Sequence, residues 1–258
     1  MRNTILKIMM LALLVTVSRY GTAAPVPEPE QGTIKMDAMT VAQLEKAGDQ
    51  ARSVKDYTLA IDYFKAGLRK DSKNAVLYNK MGLAELRRDN LAAARVNFAR
   101  AVKQNSKYAE AVNNIGAVYY MQKNYGSAAK YFKKAVALNE TDATFHVNLG
   151  AAWFSQKKME RAIAEYMRAM EIDPDALRHD SRTGISAQIS SPEERAQYSY
   201  LLAKAYAKRG DIDGCLQCLK RAKEDGYRNL ANVYKDEEFS RMRDNPRLQE
   251  VVPPPTAK

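Results

Sequence analysis

The sequence predicts an all-α solenoid of antiparallel helix pairs, and three observations predict it. Four columns of residues recur at a constant spacing of 34: Gly48, Gly82, Gly116 and Gly150; Ala60, Ala94, Ala128 and Ala162; Phe64, Phe98, Phe132 and Tyr166; Gly67, Ala101, Ala135 and Ala169. Each copy holds two amphipathic patterns, with apolar residues at i, i+3, i+4 and i+7 on either side of a short break. The breaks also repeat, as polar residues leading to an apolar one: Lys55-Asp56-Tyr57, Asp89-Asn90-Leu91, Lys123-Asn124-Tyr125 and Lys158-Met159. One helix pair cannot bury its own apolar face, so pairs stacked at a fixed period must share a continuous core.

At the N-terminus, Arg2 and Lys7 precede an uncharged apolar run from Ile8 to Val17, and Gly21-Thr22-Ala23-Ala24 follow. That is the layout of a signal peptide over residues 1–23, cleaved after Ala23. The run is shorter than the roughly 20 apolar residues needed to span a bilayer. The expectation is an exported chain, periplasmic or secreted; Arg19 in the cleavage region keeps an uncleaved anchor open as the alternative. Residues 24–40, which include Pro25-Val26-Pro27-Glu28-Pro29-Glu30, read as a flexible linker.

Residues 41–176 hold the four regular copies. In the third, Val112, Ile115 and Tyr119 mark the first helix, and Ala128, Ala129, Phe132, Ala135 and Val136 mark the second. Glycine inside a helix costs about 1 kcal/mol relative to alanine, so the glycine column predicts an offsetting close approach of two helix backbones. Asp173-Pro174 stops the fourth copy, because the residue before proline is pushed out of the helical region. Residues 177–190 are polar, contain Gly184, and read as a loop insertion.

Ser191-Pro192-Glu193-Glu194 then supplies an N-cap, a proline at the first helical position and an acid three residues after the cap. It opens an atypical fifth pair over 191–229, with Leu202, Ala203, Tyr206, Cys215 and Leu219 at packing positions. Leu230, Val233, Tyr234, Phe239, Met242 and Leu248 make 230–251 a cap for the exposed end of the core. The proline-rich residues 252–258 read as a disordered tail.

On these residues the chain resembles the tetratricopeptide repeat family, as an exported bacterial member. The 34-residue period is that family's, and the fourth copy carries its pattern at Leu149, Gly150, Trp153, Ala162, Tyr166, Ala169 and Pro174. Asp225-Gly226-Tyr227, with Asp236, Phe239, Arg243, Pro246 and Leu248, resembles the tails that close such arrays in some bacterial members. The resemblance implies a right-handed superhelix of about five repeats with a C-terminal helical cap. It also implies no enzymatic activity, no cofactor, and a concave groove for a protein or peptide partner.

Carried over copy by copy, the groove positions are Asn79, Lys80, Leu83 and Leu86, then Asn113, Asn114, Tyr120 and Met121, then Asn148 and Phe154. In related arrays, asparagines equivalent to Asn114 and Asn148 hydrogen-bond the backbone of an extended peptide, which suits an amide that donates and accepts. Lys80 occupies the same column, where it is placed to meet a carboxylate. The carboxylate clamp of chaperone-binding members is incomplete, because Glu45 and Asp49 stand where that clamp needs Lys and Asn. Asparagine is also common at this position in the family, and Tyr120 and Phe154 equally fit packing on neighbouring helices. Two roles stay open: an envelope scaffold that grips an extended segment, and a self-associating structural protein. The chain is accordingly read as a monomer or weak homo-oligomer.

The formal charge is +11; loss of Arg2, Lys7 and Arg19 with the signal leaves 38 basic against 30 acidic residues, a net of +8. Much of it lies on second helices, at Lys130, Lys133 and Lys134 and at Lys220, Arg221 and Lys223, which reads first as a solvated convex face. The second reading is weak attraction to an anionic envelope surface, a membrane contact that is at most peripheral. Export and the lack of a basic and aromatic groove motif disfavour nucleic acid. Cys215 and Cys218 form C-x-x-C inside a helical pattern rather than at a strand-to-helix turn, so they read as small packing residues. His146 and His179 are the only histidines, too few partners for a metal site. No G-x-S-x-G, H-E-x-x-H or phosphate-binding glycine loop is present.

Overall fold

The computed structural model describes residues 36–177 and 191–255. The signal segment, most of the linker, the insertion beyond Leu177 and the last three residues lie outside these bounds. Helices pair off in chain order: α1 (Val41–Ser53) with α2 (Tyr57–Lys70), α3 (Ala75–Arg87) with α4 (Leu91–Gln104), α5 (Ala109–Met121) with α6 (Tyr125–Leu138), and α7 (Ala143–Ser155) with α8 (Met159–Ile172). A fifth pair joins α9 (Pro192–Arg209) to α10 (Ile212–Glu224). Each second helix also packs on the first helix of the next pair, which makes the array a solenoid.

The corner inside every pair is the same. Lys55, Asp89, Lys123, Lys157 and Gly210 adopt positive φ of 65°, 60°, 59°, 61° and 86°. The next residue's N–H then bonds back to a helix carbonyl: Asp56 to Ala51, Asn90 to Glu85, Asn124 to Tyr119, Lys158 to Trp153 and Asp211 to Tyr206, all at 2.9–3.0 Å. These are Schellman closures, and only the fifth uses the glycine such closures favour. Asp56, Asn90, Asn124 and Asp211 also cap the following helix by accepting a backbone N–H three residues on, whereas Lys158 makes no side-chain cap.

The glycine column has a different cause from the one expected. A Cβ on Gly48, Gly82, Gly116 or Gly150 would stand 2.4–2.6 Å from the ring of Phe64, Phe98, Phe132 or Tyr166. An aromatic side chain of the second helix, not its backbone, fills the space that each glycine leaves. Those four rings are fully buried, so the first and third sequence columns are two halves of one contact repeated four times.

Aligned on its left-handed corner, the fifth pair puts Ala203 in the glycine column, Leu219 in the aromatic column and Cys215 in the column of Ala60, Ala94, Ala128 and Ala162. All three are buried in one apolar cluster. Ser191 accepts the Glu194 N–H at 3.1 Å, with Pro192 in the first turn of α9. Two 3-10 turns, Leu230–Tyr234 and Glu237–Met242, and α11 (Pro246–Val251) pack on α9 and α10. Val233, Phe239, Met242 and Leu248 join the same cluster.

Two boundaries differ from the sequence reading. Met36–Ala38 forms a 3-10 turn against α2, with Lys70 Nζ donating to the Asp37 carbonyl at 2.8 Å, so the linker ends before residue 36. Val252, assigned to the disordered tail, is buried, and its carbonyl accepts the Tyr234 hydroxyl.

Candidate functional site

Consecutive first helices are tied by a polar ladder. Lys80 donates to Glu45 Oε1 at 2.6 Å and also bonds Asp49. One repeat on, Asn114 Nδ2 donates to Asn79 Oδ1 at 2.9 Å, and Asn148 Nδ2 donates to Asn113 Oδ1 at 2.9 Å. Asn79 in turn donates to the Tyr108 hydroxyl at 3.3 Å. The Lys80–Glu45, Asn114–Asn79 and Asn148–Asn113 rungs each join a residue to one 35 positions earlier, so a side chain bonds its neighbour's adjacent column rather than its own.

This ladder changes what several groove residues can do. Burial pulls the Lys80 pKa down, and the Asp49 and Glu45 carboxylates more than offset it, leaving a net rise. Its charge is answered within the chain, so it is not free to read a ligand carboxylate. Asn79, Asn113 and Asn148 are buried, while Asn114, Leu83, Leu86 and Met121 are half-buried. The Oδ1 atoms of Asn114 and Asn148 accept no protein donor among the described residues. Tyr166 Oη and Arg243 Nε are the only buried side-chain polar atoms without a partner there, so both asparagine oxygens reach solvent.

The two aromatic candidates face packing. Tyr120 is buried, its hydroxyl 2.8 Å from Ser155 Oγ and its ring tilted on Tyr125. Burial pushes its pKa up to about 12, so it stays neutral. Phe154 is buried with its ring edge-on to Tyr198 at 5.3 Å. The structure therefore brings Asn79, Asn113, Asn114 and Asn148 together with Lys80 in one ladder, sets Leu83, Leu86 and Met121 half-exposed beside it, and withdraws Tyr120 and Phe154 into repeat interfaces.

Sequence reasoning missed the far end of the array. Tyr200 and Lys204, on α9, meet the tail: the Tyr200 hydroxyl donates to Asp236 Oδ2 at 2.9 Å, and Lys204 Nζ lies 2.8 Å from Asp236 and 3.4 Å from Glu238. Aligned on the corner, Tyr200 falls in the column of Asn79 and Asn113, so the tail stands where a sixth first helix would begin. The signal was present as Asp236 in the tail pattern, but its partner lay across an irregular insertion.

Cys215 and Cys218 are buried free thiols, and burial pushes both pKa values up to about 12. They are protonated packing residues, unsuited to thiolate chemistry. His146 is buried with Nδ1 2.7 Å from Glu165 and Nε2 3.2 Å from the Glu140 carbonyl, which occupies both ring nitrogens. No group of three or more His, Cys, Asp or Glu able to hold a metal occurs among the described residues.

Residues 79–143 and 124–176 match the family model described as a tetratricopeptide repeat. No curated protein sequence matches the chain. Among solved structures it is similar to MamA residues 41 to the end from Desulfovibrio magneticus RS-1, with a TM-score of 0.51 and 18% identity over 71% of this chain and 93% of that one. It is also similar to TTC0263, a thermophilic TPR protein of Thermus thermophilus, with a TM-score of 0.50 and 18% identity over 74% and 94% of the two chains. A further MamA protein gives a TM-score of 0.50 and 21% identity over 76% and 95%. At these identities the likeness is one of fold. With the repeated corner and the glycine and aromatic contact already in hand, the match shows that residues 79–176 carry tetratricopeptide repeats, and the likeness to the solved structures extends that fold, a tetratricopeptide solenoid, along the array.

Proposed function

We propose that the chain is a non-enzymatic scaffold of the bacterial cell envelope that grips an extended peptide segment along its first helices. The observation that carries this reading is the pair of solvent-reaching amide oxygens on Asn114 and Asn148, in equivalent positions of consecutive repeats. Each is held in place by its own donated hydrogen bond, so the acceptor is preorganised for a backbone N–H. Half-buried Leu83 and Met121 beside the ladder offer apolar contact for a ligand side chain. Because Lys80 is satisfied internally, the partner chemistry is an internal apolar segment rather than a C-terminal carboxylate. The basic start and short apolar run at residues 1–17 support export.

Self-association by end-to-end stacking is disfavoured by the C-terminal end. The tail lies on α9 and α10, so the C-terminal end of the array offers no bare repeat face.

A peptide-display selection on the purified chain tests the groove. Asn114→Ala is expected to weaken a selected peptide about fivefold, the loss of one net hydrogen bond. It also strands Asn79 Oδ1, so Asn114→Ala with Asn148→Ala does not leave thermal stability unchanged. Met121→Glu breaks no internal hydrogen bond and is expected to weaken the peptide at unchanged stability. Unaltered affinity in both variants sinks the proposal.

A further inference from the structure

The second helices of the second and third repeats carry an unbalanced charge. Arg95, Arg100 and Lys103 on α4 and Lys130, Lys133 and Lys134 on α6 are all exposed, and neither helix contains Asp or Glu. None of the six is in an ion pair among the described residues. By contrast, α8 mixes Arg161 and Arg168 with Glu160, Glu165 and Glu171, and Arg168 pairs with Glu171 at 2.9 Å.

The two basic helices share one side of the array. Tyr119 of α5 has the Arg95 guanidinium 6.0 Å from its ring centre and stacks on Tyr131 of α6 at 5.4 Å. Val96 is 46% exposed among these charges. It and Arg100 line two shallow surface depressions. Glu85, at the floor of one depression, is nearly buried and held by Asn90, so it does not answer the exposed charges.

We propose that the outer face of α4 and α6 docks on an anionic lipid bilayer, the six bases meeting headgroup phosphates and Val96 entering between them. Each lysine or arginine near such a surface adds attraction that falls away within a Debye length. Three arguments select a bilayer. The unpaired cations are spread over the exposed faces of two second helices, an arrangement that suits a broad anionic surface, whereas the peptide reading rests on the first helices. An apolar side chain standing among the charges gains from leaving water at the headgroup boundary. Single-stranded nucleic acid, the other abundant polyanion, is gripped through open aromatic faces, but Arg100 and Arg95 lie over Tyr78 and Tyr119 and leave no stacking platform.

The test uses the full chain in flotation assays with phosphatidylglycerol-rich vesicles and with phosphatidylcholine vesicles. The apolar run at the N-terminus, flanked by Arg2, Lys7 and Arg19, adds its own attraction to the anionic vesicles but is the same in every variant, so differences between variants isolate the helix charges. Wild type is expected to prefer the anionic vesicles about tenfold or more, with the preference fading as salt rises. Lys130→Glu, Lys133→Glu and Lys134→Glu together are expected to remove most of that preference with an unchanged circular dichroism spectrum, and Val96→Asp to weaken it severalfold. A matched triple reversal at Lys46, Lys220 and Lys235 is expected to keep most of it. Equal binding to both vesicles, equal loss in the matched control, or variant-sensitive binding to a DNA oligomer without vesicle binding overturns the proposal.

Discussion

In the first four pairs a glycine of the first helix lies beneath an aromatic ring of the second, whereas in the fifth Ala203 and Leu219 occupy those two places. The change is paired: where the ring shrinks to an aliphatic chain, the floor gains a methyl group. The fifth pair differs at its far side as well. Asn79 and Asn113 accept from the following repeat, but the next residue in that column is Val147, which joins the same apolar cluster as Leu201. Tyr200 and Lys204 then turn to Asp236 on the tail. The regular repeats keep volume and hydrogen bonds the same from copy to copy, while the terminal pair keeps the volume and turns its polar groups to closing the array.

The largest expected effect tests the paired change. Gly116→Ala forces a methyl group into the buried Phe132 ring and is expected to lose about 3 kcal/mol in urea unfolding, at the upper end for overpacking. Phe132→Leu alone leaves a void and is expected to lose about 1–2 kcal/mol. Together they recreate the combination of the fifth pair, so the double variant should recover at least about 1 kcal/mol relative to the sum. Strictly additive losses would falsify the equivalence of the two arrangements.

Asp236→Ala comes next. It strands the Tyr200 hydroxyl and the Lys204 ammonium and is expected to cost about 2 kcal/mol at neutral pH. The pH dependence has a definite sign. Burial lowers the Lys204 pKa, but Asp236 and Glu238 raise it above its usual value overall, so its contribution is full below about pH 10.5 and is lost as pH rises through the folded pKa. Burial and Asp236 also raise the Tyr200 pKa, which again removes stability in alkali. The gap between wild type and variant should therefore narrow above about pH 10, and a constant gap into alkali would assign the loss to packing.

The smallest effect concerns the corners. Lys157→Gly places at the fourth corner the residue that the fifth already uses at Gly210. Relief of left-handed strain, about 1 kcal/mol, is nearly offset by the entropy glycine adds to the unfolded chain. A change in melting temperature within a few degrees is expected; a large loss would show that the lysine side chain itself holds the corner.

These contrasts show what the sequence could reveal. The glycine and aromatic columns were legible because a Cβ on any of the four glycines would stand under 3 Å from the facing ring, so the four regular copies repeat the pair. The left-handed corners were not, because the strain at Lys55, Lys123 and Lys157 is small beside the closure hydrogen bonds and need not recruit glycine. The ladder was half legible. A period assigns each asparagine to a column, but the rungs run between adjacent columns of neighbouring repeats, an offset that only packing reveals. For the same reason Tyr120 and Phe154 looked like ligand contacts until their partners Ser155 and Tyr198 were seen.

The ladder also has a direction. Lys80, Asn114 and Asn148 each donate to a residue nearer the N-terminus, and none of these three rungs runs the other way. Each acceptor therefore sits on the pair nearer the N-terminus and each donor on the pair that follows, so substitutions at the two ends of a rung leave unpaired groups in different repeats. The tail reverses the sense, because Tyr200 and Lys204 donate toward the C-terminus, to Asp236. The last rung thus ties the fifth pair to the segment that covers it.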